Sequence, residues 1–191
     1  MPTLLYLHGF NSSPESKKAL QTRHWFEQNA PEVEFLCPSL PPYADAAMGL
    51  LEKLIAERLP DSVAVIGSSM GGFYATCLVE QYSLKAVLVN PAVSPDRGLQ
   101  DWLGENVNYH TGEKWLFEPQ HIDEYRRRDP LEIKNKNNYL LLLQSGDEVL
   151  DYRHAQQRYS GCKIILESGG DHSFIDYDQH LKNIHQFLVS A

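Results

Sequence analysis

Cysteine is scarce in this chain of 191 residues: Cys37, Cys77 and Cys162 are odd in number and far apart, with no C-x-x-C pair. That excludes a disulfide framework and a cysteine zinc site, and leaves buried free thiols as the expectation. A basic surplus is missing too. The formal charge is −8, whereas a chain that binds phosphate backbones carries the opposite sign, so general nucleic-acid binding is not expected. No apolar run approaches the roughly 20 residues of a membrane span. Met1-Pro2-Thr3-Leu4 enters an apolar strand at once, without the basic, apolar and small-residue regions of a signal peptide. The expectation is a cytoplasmic protein with no membrane partner. Linkers, repeats and low-complexity stretches are also absent, so residues 1–191 read as one domain. H-E-x-x-H and comparable ligand spacings do not occur, and neither a metal nor an organic cofactor is expected.

What is present is alternation. Apolar strands are expected near residues 4, 33, 62, 85, 139 and 163, with helical segments between most of them. Ser13-Pro14-Glu15 reads as a cap followed by proline at the first helical position, starting a helix that runs to about Asn29. A second helix is marked by Ala47, Leu50, Leu51, Leu54, Ile55 and Leu59, which recur at steps of three and four and form one buried face. Val63-Ala64-Val65-Ile66 and Leu140-Leu141-Leu142-Leu143 are apolar throughout, as strands covered on both faces are. Strand, helix and strand in turn, joined by right-handed crossovers, predict an α/β fold: a doubly wound, mostly parallel sheet of about six strands in a three-layer sandwich.

One junction carries chemistry. Residues 62–66 lead into Gly67-Ser68-Ser69-Met70-Gly71 and then into a helical segment, which is G-x-S-x-G in its strand-turn-helix context. Ser69 is the candidate nucleophile, at a helix start whose unpaired N–H groups suit a developing oxyanion. Two later loops supply partners: Ser145-Gly146-Asp147-Glu148-Val149 after strand 139–144, and Gly169-Gly170-Asp171-His172 after strand 163–166. A serine needs a base, and the base needs a carboxylate to fix its tautomer, so Ser69, Asp147 and His172 form a candidate triad in the chain order Ser, Asp, His. Asp151 remains a rival acid four residues on. Asp171, beside the histidine, reads as a turn former.

These pieces together resemble the α/β-hydrolase superfamily over nearly the whole chain. Within it, Tyr6-Leu7-His8-Gly9-Phe10-Asn11-Ser12-Ser13-Pro14, Gly67-Ser68-Ser69-Met70-Gly71-Gly72-Phe73-Tyr74 and Gly146-Asp147-Glu148-Val149-Leu150-Asp151-Tyr152 are similar to the YqiA-like esterase family of bacteria. The resemblance implies a small esterase acting on carboxylic esters or acyl thioesters, with an oxyanion hole made by the Phe10 and Met70 N–H groups and His8 bracing that loop. It also implies that the first two strands of the full-length fold are missing. Peptide or carbon–carbon bond hydrolysis stays open on the same triad. A non-catalytic binding protein on this fold would be expected to have lost one of the three residues. The small-molecule substrate's acyl length and leaving group, and the oligomeric state, are not set by the sequence.

Two segments are ambiguous. Residues 94–138 break the alternation and hold Trp102, Tyr109, Trp115, Phe117 and Tyr125, either a small cap over the site or cover for the sheet edge. Arg126-Arg127-Arg128 is either a solvated face or a contact for an anionic substrate tail. His180 and His185 are expected on a C-terminal helix that turns Tyr177, Leu181, Ile184 and Leu188 inward.

Overall fold

The apolar runs become the strands of a single parallel sheet in a computed structural model that describes residues 2–108 and 111–189. Along the chain run β1 (Thr3–Leu7), α1 (Lys17–Asn29), β2 (Glu34–Leu36), α2 (Ala44–Ala56), β3 (Val63–Ser68), α3 (Met70–Tyr82) and β4 (Lys85–Val89). They are followed by β5 (Gly104–Val107), β6 (Lys114–Phe117), α4 (Pro119–Arg128), β7 (Tyr139–Gln144), α5 (Tyr152–Arg158), β8 (Lys163–Glu167) and α6 (Leu181–Val189). The sheet order is β2-β1-β3-β4-β7-β8, every neighbouring pair parallel. It is a compact α/β-hydrolase fold.

Strand periodicity splits the core in two, because successive side chains point to opposite faces. Leu5, Leu7, Val65, Leu88, Leu141 and Leu143 face one way, under α2, α3, α4 and α5. Leu4, Tyr6, Ile66, Val87, Leu140 and Leu142 face the other, under α1 and α6. Burying one such side chain is worth about 1.5–3 kcal/mol, so both faces must be covered. All catalytic candidates then fall where the strands end, as expected for an open parallel sheet whose ligands sit beyond the carboxyl edge.

Several expectations are corrected. Pro14 does not open α1: Ser13 Oγ accepts the Glu15 N–H at 3.1 Å and Ser13 O accepts Ser16 N–H at 3.1 Å, and this turn delays the helix to Lys17. The buried stripe of α2 is Ala44, Ala47, Met48, Leu51 and Ile55, while Leu59 lies beyond the helix and is half exposed. Cys77 is buried, but Cys37 and Cys162 are only partly so; all three are free, and burial pushes the thiols up to about 12, 12 and 11. None is a ready thiolate. His180 ends a short 3-10 turn rather than lying on the last helix.

The stretch 94–138 holds the β5–β6 antiparallel hairpin and α4, with short 3-10 turns at Pro95–Arg97 and Leu99–Trp102. Tyr109 lies outside the described residues. The arginine run is neither free nor simply solvated. Arg127 and Arg128 pair with Asp45 of α2 at 3.1 and 2.8 Å, Arg128 also with Glu52 at 3.0 Å, and Arg126 with Asp96 at 3.1 Å, so α4 is clamped to α2. Among the described residues no helix is long and apolar enough to cross a membrane.

Candidate active site

Ser69 caps α3 with φ 55° and ψ −122°, a conformation that L-residues rarely hold. Strain of this kind costs about 1–3 kcal/mol and persists only where its surroundings impose it. Here the surroundings are backbone: a Cβ at Gly71 would lie 1.9 Å from Leu7 O, and one at Gly67 would lie 2.3 Å from Gly71 O. The flanking glycines therefore let β1, the elbow and α3 cross at contact distance. Ser69 N–H bonds Val89 O at 3.0 Å, and Ser69 O accepts Gly72 N–H and Ala92 N–H at 2.8 and 3.0 Å, which fixes the turn from both sides.

The side chains complete a line. His172 Nε2 lies 3.0 Å from Ser69 Oγ, and His172 Nδ1 lies 3.0 and 2.9 Å from Asp147 Oδ1 and Oδ2. With Nδ1–H donating to the carboxylate, Nε2 is left to accept the serine proton, the tautomer a base requires. The Asp147 side chain is only 2% exposed and that of His172 22%. Burial opposes ionisation of Asp147, but the His172 bond and the N–H groups of Leu150 and Val149, at 2.8 and 2.9 Å from Oδ1, outweigh it and hold the carboxyl below its usual range. Asp151 is placed elsewhere: its carboxylate caps α5 through Arg153 N–H at 3.0 Å and pairs with Arg153 Nε at 2.9 Å. Asp171 builds the turn, accepting Ser173 O–H at 2.6 Å and, through its carbonyl, Phe174 N–H at 3.1 Å.

Phe10 follows β1, and its loop runs beside the serine: a Cβ at Gly9 would sit 3.2 Å from Ser69 Cβ. Met70 is the first residue of α3, where N–H groups lack intrahelical acceptors. His8 is buried, with Nδ1 2.9 Å from Gly9 O and Nε2 accepting Leu40 N–H at 3.0 Å, so it ties the loop after β1 to the segment before α2. The hairpin grips the same loop from outside. Trp115 Nε1 donates to Asn11 Oδ1 at 3.1 Å, Asn108 Nδ2 to Ser12 O at 3.2 Å, and the Phe10 ring stands edge-on to Trp102 and Trp115 at 5.2 and 5.3 Å.

Three positioning residues escape a reading of motifs alone. Gln144, at the end of β7, accepts Asp171 N–H at 3.2 Å and Ile175 N–H at 2.9 Å, and donates to Ile175 O at 2.9 Å and Glu167 Oε2 at 2.8 Å. Asn90, after β4, accepts Gln144 N–H at 3.0 Å and donates to Asp171 O at 3.0 Å. Glu148 takes the His172 N–H at 3.0 Å. Two buried amides thus support the histidine loop from below. Among the described residues no group of three or more His, Cys, Asp or Glu stands close enough to hold a metal ion.

Known proteins share this architecture. A UPF0227 protein of Serratia proteamaculans is 25% identical over 189 residues, covering 96% of this chain and 97% of that one, and a Yersinia pestis UPF0227 protein is 26% identical over the same coverage. Mouse alpha/beta hydrolase domain-containing protein 10 superposes with a TM-score of 0.77 at 14% identity, over 97% of this chain and 89% of that one. Est1E of Butyrivibrio proteoclasticus with ferulic acid bound gives 0.71 at 13% identity, over 99% and 88%. The family model for UPF0227, described as an uncharacterised protein family, matches residues 3–189, and the chain belongs to that family, a YqiA-like group whose fold is that of the α/β hydrolases.

Proposed function

We propose that the protein is a serine hydrolase that cleaves carboxylic esters or acyl thioesters through an acyl-enzyme. The observation that carries this reading is the unbroken chain from Ser69 Oγ through His172 to a buried Asp147, at 3.0 and 2.9 Å, on a strained elbow. Strain at a serine whose side chain makes no capping hydrogen bond is explained by exposure of its Oγ to a substrate.

The chemistry follows from the geometry. Ser69 Oγ attacks the carbonyl carbon as His172 Nε2 takes its proton, and Asp147 stabilises the imidazolium without accepting that proton. The oxyanion rests on the Phe10 and Met70 N–H groups; losing one such donor typically costs about 10²–10³ in rate. His172 returns the proton to the leaving alcohol or thiol, and water, deprotonated by the same nitrogen, releases the acid and restores Ser69. Segment 94–138 acts as a small cap, since its Arg97, Leu99 and Trp102 line the groove that holds Ser69.

The test is a screen of short and long acyl esters, thioesters and peptides beside Ser69→Ala, with labelling by a fluorophosphonate. Ester or thioester turnover and labelling should both vanish in Ser69→Ala while the fold survives. Labelling that persists in the mutant, or turnover of peptides alone, would overturn the reading.

A further inference from the structure

Ser69 stands where two grooves of opposite character meet. One, of about 650 Å³, is lined by four carboxylates, Glu148, Asp171, Asp176 and Asp178, against two ammoniums, Lys17 and Lys18. Lys18 is already engaged, donating to Ser173 O at 2.7 Å. An anionic group entering here meets a net negative wall.

The other groove, of about 920 Å³, extends from Ser69 over Val93, Leu99, Trp102 and Leu150. Its wall includes His154, Gln157 and Arg158, which share one face of α5 at i, i+3 and i+4, and Arg97 of the Pro95–Arg97 turn. The charges are unequally spent. Arg158 is neutralised by Asp129 at 2.9 Å, and Asp151 by Arg153 at 2.9 Å. Asp129 also feels Arg97, but its oxygens are taken by Arg158 and by Ser94 Oγ at 3.1 Å. Arg97 is exposed and forms no salt bridge to a described residue. In a chain of net charge −8, the apolar groove beside the nucleophile therefore includes in its wall an exposed guanidinium that forms no salt bridge among the described residues.

We infer that this groove takes an acyl chain bearing a second carboxylate, read by Arg97 of the groove wall, so that the substrates are half-esters or half-thioesters of dicarboxylic acids. The inference rests on the serine hydrolase reading. Apolar surface selects the chain, each buried methylene favouring binding about fourfold. The guanidinium presents paired donors that match a carboxylate, and the acidic groove is left for an uncharged leaving group.

The probe pair is the p-nitrophenyl half-ester of suberic acid and the same ester with its free acid capped as the methyl ester. The readout is the ratio of their kcat/KM values. In the wild type the free acid should lead by about two- to fivefold, the size of a solvent-exposed ion pair, and the lead should shrink in about 0.5 M NaCl. Arg97→Gln should bring the ratio to about one. Lys134→Gln, which removes a surface charge outside the groove, should keep it. A wild-type ratio near one, or a ratio that Arg97→Gln leaves in place, overturns the inference. Ser69-dependent cleavage of the capped ester checks the hydrolase reading separately. If neither ester is cleaved, that reading falls and takes the inference with it.

Discussion

Gln144→Leu separates a scaffold for the histidine from a filler of the core. The side chain belongs to a residue 4% exposed and makes four hydrogen bonds, two from N–H groups of the loop and two to carbonyl or carboxylate oxygens. Leucine keeps most of the volume, so the loss is polar. At about 1 kcal/mol net per bond the ceiling is near 4 kcal/mol, and water reaching the exposed Ile175 and Glu167 ends lowers it to about 2–4 kcal/mol. For a chain of this size that is a fall in Tm of about 4–16 °C. The loop thus released carries His172, and a displacement near 1 Å at a reacting group costs on the order of 10²-fold. Gln144 lines neither groove at Ser69, so KM should hold while kcat drops about 10–100-fold, measured well below both melting temperatures. A lowered Tm with wild-type kcat would refute the reasoning: Asn90 and the Gly146 N–H bond to Gly169 O, at 2.8 Å, would then suffice to hold the histidine.

Three further outcomes are expected. Ser69→Gly should abolish turnover yet melt above Ser69→Ala by about 1 kcal/mol equivalent, because glycine accepts φ 55° without strain; equal melting would mean the elbow stores none. Asp147→Asn should lower kcat by as much as about 10⁴ through the wrong histidine tautomer, while Asp151→Asn keeps kcat and shifts Tm slightly; the reverse pattern in kcat redraws the triad. Burial pulls the Lys18 ammonium down to about 8 against the pull of Asp171 and Asp147. The unfolded chain then binds more protons between pH 8 and the ordinary lysine value of about 10.4, so this residue's destabilising effect is full below pH 8 and relieved as pH rises through that window. Denaturant titrations at pH 7.5 and about pH 10 should show Lys18→Met with less gain in stability over that range than the wild type, and an identical gain would count against a partly desolvated ammonium.

How much of this was legible in the sequence depends on how far apart the interacting residues lie. The central strands β1, β3, β4 and β7 are written locally, because a strand buried on both faces must be an apolar run, and the elbow is local too, because backbone atoms that would lie about 2–3 Å from a Cβ leave glycine as the only choice at Gly67 and Gly71. The start of α1 is not legible locally, since Ser13 spends its side chain on Glu15 N–H rather than on a helix, a choice its neighbours do not reveal. The apolar stripe of α2 continues in sequence to Leu59, past the end of the helix, where Pro60 disfavours a helical residue before it. The β5–β6 hairpin gives a weak signal: its strands are short and half exposed, with Trp115 and Phe117 as the alternating inward residues. Asn90 and Gln144 gave none, since neither lies in a recognisable motif. They meet only because β4 and β7 pair with Val89 opposite Leu142, which brings the residues just beyond, from distant parts of the chain, to one edge of the sheet. The reacting groups are dictated by chemistry and so appear in sequence as motifs, whereas the groups that aim them are dictated by register and appear only once the sheet is assembled. That is why the histidine was readable and the amides beneath it were not.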